Sequence, residues 1–316
     1  MNDIFMNDVL KKEIINRINV YENPKRIALS RKYPFLEKPI IFLRCLKRSI
    51  QNILDSKLRI YKEDNFFEYI IADHQSELRK KSKNVDSRNL DSRNHDSRLQ
   101  ENKIYNMKKA VEKLNGIVIK PGKVFSFWHI IGNPSQKNGY IEGRVYSVGK
   151  IITGVGGGLC QLSTFLYWLF LHTPVKITER HPHSLDAFPD SRQNVFSRCG
   201  ATVLYNFMDL KIRNDYEYPI QLKIWFTDDH INGQIVSVNN MQEKYSLLEK
   251  DHCFIKVKDK VFQYNEIYRE TKRSGELVKT EKITTNFMQI LYNIEDEYIK
   301  ENDFKVLDFD TIMEDK

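Results

Sequence analysis

Cysteines are few in this chain, and none of them lies close to another. The four of them, Cys45, Cys160, Cys199 and Cys253, are spread over 316 residues without a CxxC pair. Disulfide scaffolds and dithiol redox sites both rest on closely spaced cysteines. This spacing argues against a disulfide framework and favours a reducing compartment.

Long apolar runs are also missing. The longest weakly charged run, residues 161–175, is shorter than the roughly 20 residues that a transmembrane helix needs. Residues 1–8 contain neither the basic segment nor the apolar segment that open a secretory signal. We therefore expect a cytoplasmic protein that is at most peripheral at the inner membrane face.

Positive charge is concentrated in one segment. The formal net charge is +8, and residues 30–62 hold nine basic and two acidic residues, a balance of nine minus two, or +7. No recognised nucleic-acid motif accompanies this charge, so we expect no nucleic-acid partner.

A helix is predicted inside this basic segment, over residues 39–54, because apolar residues recur there at helical spacing. We favour the interpretation that it packs on the main domain with its charges in water. The alternative is a basic amphipathic helix that lies on an anionic membrane surface. The apolar positions are Leu43, Leu46, Ile50, Ile53 and Leu54, and the basic positions opposite them are Arg44, Lys47 and Arg48.

Four regions are predicted along the chain. Residues 1–80 form a helical, basic N-terminal region. Residues 81–100, in which Asp-Ser-Arg recurs with a period of five, form a flexible linker or insertion. Residues 101–240 form the main domain, and residues 241–316 form a β-rich extension with an acidic tail. The order of elements predicts an α+β fold with a mainly antiparallel sheet and one buried helix that starts at a glycine-rich loop.

Turn signals separate short apolar runs in the main domain. Asn115-Gly116 suits the end of a helix, and Pro121-Gly122 suits a type II turn. Residues 130–148 are rich in glycine, asparagine and tyrosine and predict a surface loop. The predicted strands are 117–119, 124–128, 175–178, 201–204, 211–213, 220–226 and 234–238.

The glycine-rich loop, residues 154–158, delivers Cys160 to the start of an apolar helix predicted over residues 161–172. Glycine allows positive φ and close approach of other groups. The first turn of a helix offers unpaired N–H groups and a partial positive charge. A thiol in that place is expected to have a lowered pKa, which makes Cys160 a candidate nucleophile. The alternative is a small buried apolar side chain.

A nucleophilic thiol needs a base, and the base needs an orienting partner. His181 and His183 are the candidate bases. Asp186, Glu179 or Ser184 could hold an imidazole. In a strand, the two histidines would point to the same face, so only a loop would separate their roles.

A zinc site is the alternative use of these residues, with Cys160, Cys199, His181 and His183 as four ligands. Their spacing matches no common zinc pattern, so we expect no metal. A phosphate-binding loop is disfavoured because no Lys-Ser/Thr pair follows the glycines. No cofactor is expected.

Four stretches of the chain form a recognisable set. They are Gly156-Gly157-Gly158-Leu159-Cys160-Gln161-Leu162-Ser163, Pro121-Gly122-Lys123-Val124-Phe125-Ser126-Phe127-Trp128, Glu179-Arg180-His181-Pro182-His183-Ser184 and Asp209-Leu210-Lys211-Ile212-Arg213-Asn214. As a set they resemble the VanW family, a family linked to cell-wall peptidoglycan metabolism and glycopeptide (vancomycin) resistance. The resemblance covers roughly residues 101–240.

This resemblance implies a cysteine-dependent acyltransferase, because some exported family members are understood as L,D-transpeptidases of peptidoglycan. Cys160 would attack the carbonyl on the L-side of a stem-peptide D-alanine, with His183 as the base and loop N–H groups as oxyanion donors. His181 and Asp186 complete the catalytic candidates. The residues implied in the substrate and oxyanion loop are Gly156, Gly157, Gly158, Gln161, Ser163 and Arg180.

One position departs from the family pattern. The family often has Asp-Ala-Thr where this chain has Gly200-Ala201-Thr202, and Asp186 is the candidate substitute for the missing carboxylate. The expected partner is a peptidoglycan stem peptide or a lipid-linked precursor. The alternative function is a non-catalytic accessory protein that binds such precursors or partner resistance proteins.

Overall fold

A computed structural model describes residues 8–22, 33–79, 90–147, 150–183, 185–186, 199–291, 299 and 304–309. Within them the chain forms five α-helices and fifteen strands. The helices are α1 (Asp8–Glu22), α2 (Glu37–Leu54), α3 (Leu90–Leu114), α4 (Phe127–Ile131) and α5 (Leu159–Leu171). The strands are β1 (Tyr61–Lys62), β2 (Tyr69–Glu77), β3 (Ile117–Ile119), β4 (Val124–Ser126), β5 (Glu142–Ser147), β6 (Lys150–Val155), β7 (Lys176–Glu179), β8 (Leu185–Asp186), β9 (Lys211–Arg213), β10 (Ile220–Phe226), β11 (His230–Ser237), β12 (Glu243–Val257), β13 (Lys260–Arg273), β14 (Glu276–Ile290) and β15 (Lys305–Asp308).

The main core lies between helix α5 and an antiparallel sheet with the strand order β1-β3-β10-β11-β2. Helix α5 is apolar on nearly all sides, which is the pattern of a fully buried helix. It comes so close to the sheet that a Cβ on Gly233 of β11 would lie 2.7 Å from Leu169 and 2.8 Å from Phe165. Glycine at this position therefore lets the helix and the strand touch.

A second core lies between helix α1 and the long C-terminal strands. Ile14, Ile15 and Ile18 of α1 pack against apolar side chains of β12 and β13, among them Ile255 and Phe262. Strands β12, β13 and β14 are antiparallel, while β15 pairs with β12 and β8 pairs with β14 in parallel. The C-terminal sheet thus reaches back to the residues that follow the histidine loop.

Two small groups of strands lead into the glycine loop and the histidine loop. Strands β4, β9 and β7 form a three-stranded sheet, and β5 and β6 form a hairpin that leads into the glycine loop. Because β7 ends at Glu179, this sheet determines where the histidine loop begins.

The predicted α+β class with mainly antiparallel sheets and a buried helix at the glycine loop is confirmed. Strands β3, β9 and β10 have the predicted bounds. The turn at Pro121-Gly122 is also confirmed, because Gly122 has a φ of +74° and the Lys123 N–H donates to Lys120 O at 3.0 Å. Helix α3 ends at Leu114 as expected, and Gly116 follows with a φ of +86°.

Three loop and strand predictions are wrong. Residues 201–204 form no strand, and only an isolated bridge joins Leu204 to Met208. Residues 127–128 begin helix α4, because the Ser126 hydroxyl accepts the His129 N–H and caps it. The predicted loop over 130–148 contains the end of α4 and strand β5, which forms a hairpin with β6.

The chain N-terminal to residue 101 is also more structured than predicted. Helix α3 begins at Leu90, so the second and third Asp-Ser-Arg copies are helical and not a flexible linker. Residue Leu99 is buried and anchors this turn in the core, while residues 80–89 lie outside the described part. Strand β2 pairs with β11, so the N-terminal region is not wholly helical and it completes the main sheet.

No helix in the described ranges combines the length and the apolar character needed to cross a membrane.

Candidate active site around Cys160

The glycine loop is shaped by close backbone contacts. Gly156 and Gly158 have φ values of +86° and +100°, which favour glycine. A Cβ on Gly157 would lie 2.5 Å from the carbonyl carbon of Gly143 in β5, so only glycine fits there. Asn106 of α3 donates to Gly157 O at 3.0 Å and fixes the loop from the other side. The loop is therefore rigidly positioned by β5 and α3.

Cys160 is the second residue of α5, in the first helical turn as predicted. Its thiol is turned toward the protein and donates to Val203 O at 3.5 Å. Burial raises the pKa of the Cys160 thiol. The prediction of a lowered pKa is wrong, because burial removes the water that would solvate the thiolate.

The backbone N–H groups of the first turn divide into bonded and available ones. Leu159 N–H donates to Gly156 O at 3.4 Å, and Gln161 N–H donates to Gly158 O at 3.0 Å. The N–H groups of Gly158 and Cys160 donate to no backbone carbonyl of the described residues. Both are candidate donors to an oxyanion.

The segment 199–203 runs alongside the N-terminal half of α5. Ala201 N–H donates to Thr164 Oγ1 at 3.0 Å, and the Ser163 hydroxyl donates to Ala201 O at 2.5 Å. Together with the thiol contact to Val203, three side chains of α5 hold this segment. Ser163, a candidate loop residue, thus makes a buried contact within the protein.

The histidine loop lies on another side of the same segment. Thr202 N–H donates to His181 O at 2.7 Å, and Thr202 Oγ1 is 2.7 Å from Nδ1 of His183. The imidazole of His183 fills the space beside Gly200, where a Cβ would lie 2.0 Å from its Cδ2 atom. Gly200 is therefore what allows His183 to sit on this segment.

The partners of Thr202 favour one tautomer of His183. The single Thr202 hydroxyl proton has an acceptor in Pro182 O at 3.3 Å, which leaves the oxygen free to accept from the Nδ1–H of His183. In that arrangement Nε2 carries the lone pair. This is the form of imidazole that a general base requires.

His181 has a different partner from His183, and residues 181–183 form a loop. Nε2 of His181 is 3.1 Å from Oε1 of Glu179. The same oxygen accepts from Arg48 at 2.6 Å and from Asp209 N–H at 3.1 Å. Burial alone would raise the pKa of Glu179, but the bonds from His181 and Arg48 lower it to about 2. His181 thus belongs to a hydrogen-bond network around Glu179 that also contains Arg48 and Asp209.

The comparisons with known proteins agree on one family. A family model described as VanW like protein matches residues 102–236. The vancomycin B-type resistance protein VanW of Enterococcus faecalis is 32% identical over 193 residues, which cover 60% of this chain and 70% of that protein. The chain belongs to the VanW family.

A second relative is more distant. The uncharacterized protein YoaR of Bacillus subtilis is 27% identical over 121 residues, which cover 38% of each chain. No solved structure matches the chain. The family assignment predicted from the motifs is confirmed.

Three candidate residues predicted from the sequence, Arg180, Gln161 and Asp186, have other partners in the protein. Each nitrogen of Arg180 donates to a protein oxygen, at Gly200, Thr284 and Asn286, which links the loop to β14. The Gln161 amide donates to Glu77 O of β2 at 2.9 Å. Asp186 lies in β8, where it pairs with Ile290. Ser184 lies outside the described residues.

Sequence reasoning missed two buried polar residues that hold the VanW motifs together. Asp209 accepts from the Ser126 hydroxyl at 2.6 Å and from Trp128 N–H at 3.1 Å, which joins two of the motifs. Asn106 fixes the glycine loop from α3. The signal for Asp209 was its place in a family motif, while nothing in the local pattern marks Asn106.

The zinc alternative finds no support in the geometry. In the ranges that the structure describes, no three side chains of His, Cys, Asp or Glu are grouped so that they could hold a metal ion. Cys199 is fully buried.

Proposed function

We propose that this VanW family member acts in cell-wall peptidoglycan metabolism connected with vancomycin resistance, as a cysteine acyltransferase of the L,D-transpeptidase type. One observation carries the proposal. Cys160 and His183 are hydrogen-bonded to adjacent residues of one segment, Val203 and Thr202. In this proposal Cys160 is the nucleophile and His183 is the base, and these two bonds to neighbouring residues support it. The relative named for vancomycin resistance supports the cell-wall context.

The reaction would begin with the protonated thiol. Nε2 of His183 takes the proton of Cys160, and the thiolate attacks the carbonyl carbon on the L-side of the D-alanine. The C–N bond breaks, the leaving amine takes the proton from the imidazolium, and the acyl group stays on sulfur as a thioester. The N–H groups of Gly158 and Cys160 would stabilise the oxyanion.

A second stem peptide would complete the transfer. Its amine attacks the thioester carbon, a new amide bond forms, and the sulfur leaves as a thiolate. The proton lost by the amine passes to His183 and returns to the sulfur. In this proposal Ser163 and Arg180 position the loop segments, and His181 positions Glu179.

The protonated state of the Cys160 thiol favours a second function. Burial raises the pKa of Cys160, and its proton is engaged by Val203 O. A chain that keeps the fold without the chemistry would bind stem peptides or partner resistance proteins as an accessory. Covalent capture separates the two functions.

The test is mass spectrometry of the intact chain after incubation with a stem pentapeptide, followed by peptide mapping. The proposal expects an acyl adduct on Cys160, none in Cys160→Ala, and at least a tenfold slower adduct formation in His183→Ala, since general bases contribute about 10²–10⁴-fold. His181→Ala is the matched control and should retain the adduct. Peptide binding without an adduct would establish the accessory function instead.

Gly200→Ala tests the position of His183. The added Cβ would lie 2.0 Å from the imidazole, so the ring has to move away from Thr202. We expect adduct formation to fall about as far as in His183→Ala, by at least about tenfold. Circular dichroism serves to confirm that the fold is retained. An unchanged rate in a folded Gly200→Ala protein would show that the observed position of His183 is not the active one.

A further inference from the structure

Helix α2 is held on the domain by its polar side. The Arg48 guanidinium binds Glu179, and the Cys45 thiol donates to Tyr205 O at 3.7 Å. Asn206 donates to Ser49 Oγ at 2.7 Å, and Lys211 donates to Asn52 Oδ1 at 3.1 Å. The side of α2 that meets the protein therefore consists of residues that make hydrogen bonds and an ion pair.

The opposite side of α2 is apolar and faces outward. Six large apolar side chains there are between 45% and 76% exposed. This overturns the favoured interpretation of a helix whose apolar side is buried and whose charges lie in water. We call these residues the outer face: Phe42, Leu43, Leu46, Ile50, Ile53 and Leu54.

Basic residues border the outer face. With about 100° of rotation per residue, Lys38 lies along one edge and Lys47 along the other, and both are exposed. From residue 38 to residue 54 the sequence contains four basic residues and no acidic residue. An apolar stripe between lysines is the pattern of a helix that lies in the interface of an anionic bilayer, with the lysines at the headgroups.

A second copy of the chain fits this face less well. A pair of α2 helices in contact through their outer faces would bring the bordering lysines of both copies together, and residues 38–54 offer no carboxylate to balance them. The positive charges of the two copies would then repel each other. An anionic lipid surface supplies both the apolar depth and the negative charge.

We infer that the outer face of α2 is a docking surface for an anionic lipid bilayer. The helix has 18 residues, which gives a length of about 27 Å, enough for several turns to lie flat at the interface. The contact is independent of catalysis by Cys160. Through Arg48 and Glu179, α2 is joined to His181, so docking would hold the histidine loop near the headgroups.

Vesicle flotation of the full chain tests the inference. Vesicles of phosphatidylcholine with about a third phosphatidylglycerol are compared with phosphatidylcholine alone, in low salt. We expect the chain to float with the anionic vesicles and the double variant Leu46→Glu/Ile53→Glu to lose at least tenfold in partitioning. Leu277→Glu, which changes an exposed apolar residue in β14, is the matched control and should float normally.

Two results would overturn the inference. One is a wild-type chain that stays with the protein fraction whatever the vesicle composition. The other is a concentration-dependent dimer in light scattering that the double variant abolishes while flotation stays unaffected. Circular dichroism of the double variant confirms that a loss of flotation does not come from unfolding, since both side chains are already exposed.

Discussion

Helices α1 and α2 show that an amphipathic pattern alone does not tell which side of a helix faces the protein. Ile14 and Ile18 of α1 are fully buried against the C-terminal sheet. In α2 the corresponding apolar side is exposed, and Arg48 faces the protein. The difference lies in what the domain offers, because β12 and β13 present apolar side chains to α1, whereas α2 meets the carboxylate of Glu179 and polar groups of residues 205–206.

The largest difference between α1 and α2 is expected when a carboxylate is placed on the apolar side of each helix. Ile18→Asp would bury a carboxylate without a partner and should lower the free energy of unfolding by at least about 4 kcal/mol. Ile53→Asp places the same charge in water and should change it by less than about 0.5 kcal/mol. Urea denaturation measures both. Equal losses in the two variants would mean that the outer face is buried in solution.

A smaller contrast follows from truncation. Ile14→Ala leaves a cavity in the second core and should cost about 2–5 kcal/mol. Ile50→Ala removes an exposed side chain and should cost less than about 0.5 kcal/mol. Thermal unfolding monitored by circular dichroism is sufficient, and a large effect of Ile50→Ala would contradict the difference between the helices.

The ion pair between Arg48 and Glu179, which holds α2, should make the free energy of unfolding depend on pH in acid. The pKa of Glu179 is about 2 in the folded chain against an ordinary value of 4.5. A group whose pKa is lower in the folded chain than in the unfolded chain stabilises the fold at pH values above its unfolded pKa. The contribution of Glu179, at most about 3 kcal/mol, is therefore complete above pH 4.5 and is lost as the pH falls toward 2. Glu179→Gln should reduce the slope of the unfolding free energy against pH between pH 4.5 and pH 2. A slope identical to that of the wild type would contradict the network.

Among the variants expected to destabilise the chain, the smallest loss is expected from Arg48→Ala, which removes only the anchor of α2. Glu179 keeps His181 and the Asp209 N–H as partners, so we expect a loss of about 1–2 kcal/mol. Hydrogen exchange should become faster in α2 and stay unchanged in α1. Lys47→Ala, which removes an exposed charge from the same helix, is the matched control. Equal acceleration in both helices would show that Arg48 does not hold α2 specifically.

Some features of the site could be predicted from the sequence motifs and others could not. The motifs predicted the family and the helix start at Cys160. They did not predict that Thr202 holds His183, or that Arg180 reaches β14. Such partners lie 19 and 106 residues away along the chain, where spacing carries no information.

Local chemistry determined much of this protein from the sequence. Glycines in positive φ, a continuous apolar helix and alternating strands each depend on near neighbours, so the glycine loop, α5 and β10 could be predicted. The tertiary structure decided the rest. It buried the Cys160 thiol and so raised its pKa, it placed the His183 ring beside Gly200, and it turned the apolar side of α2 outward. Burial and charge pairing depend on what distant segments bring to a side chain, and that is a property of the folded chain.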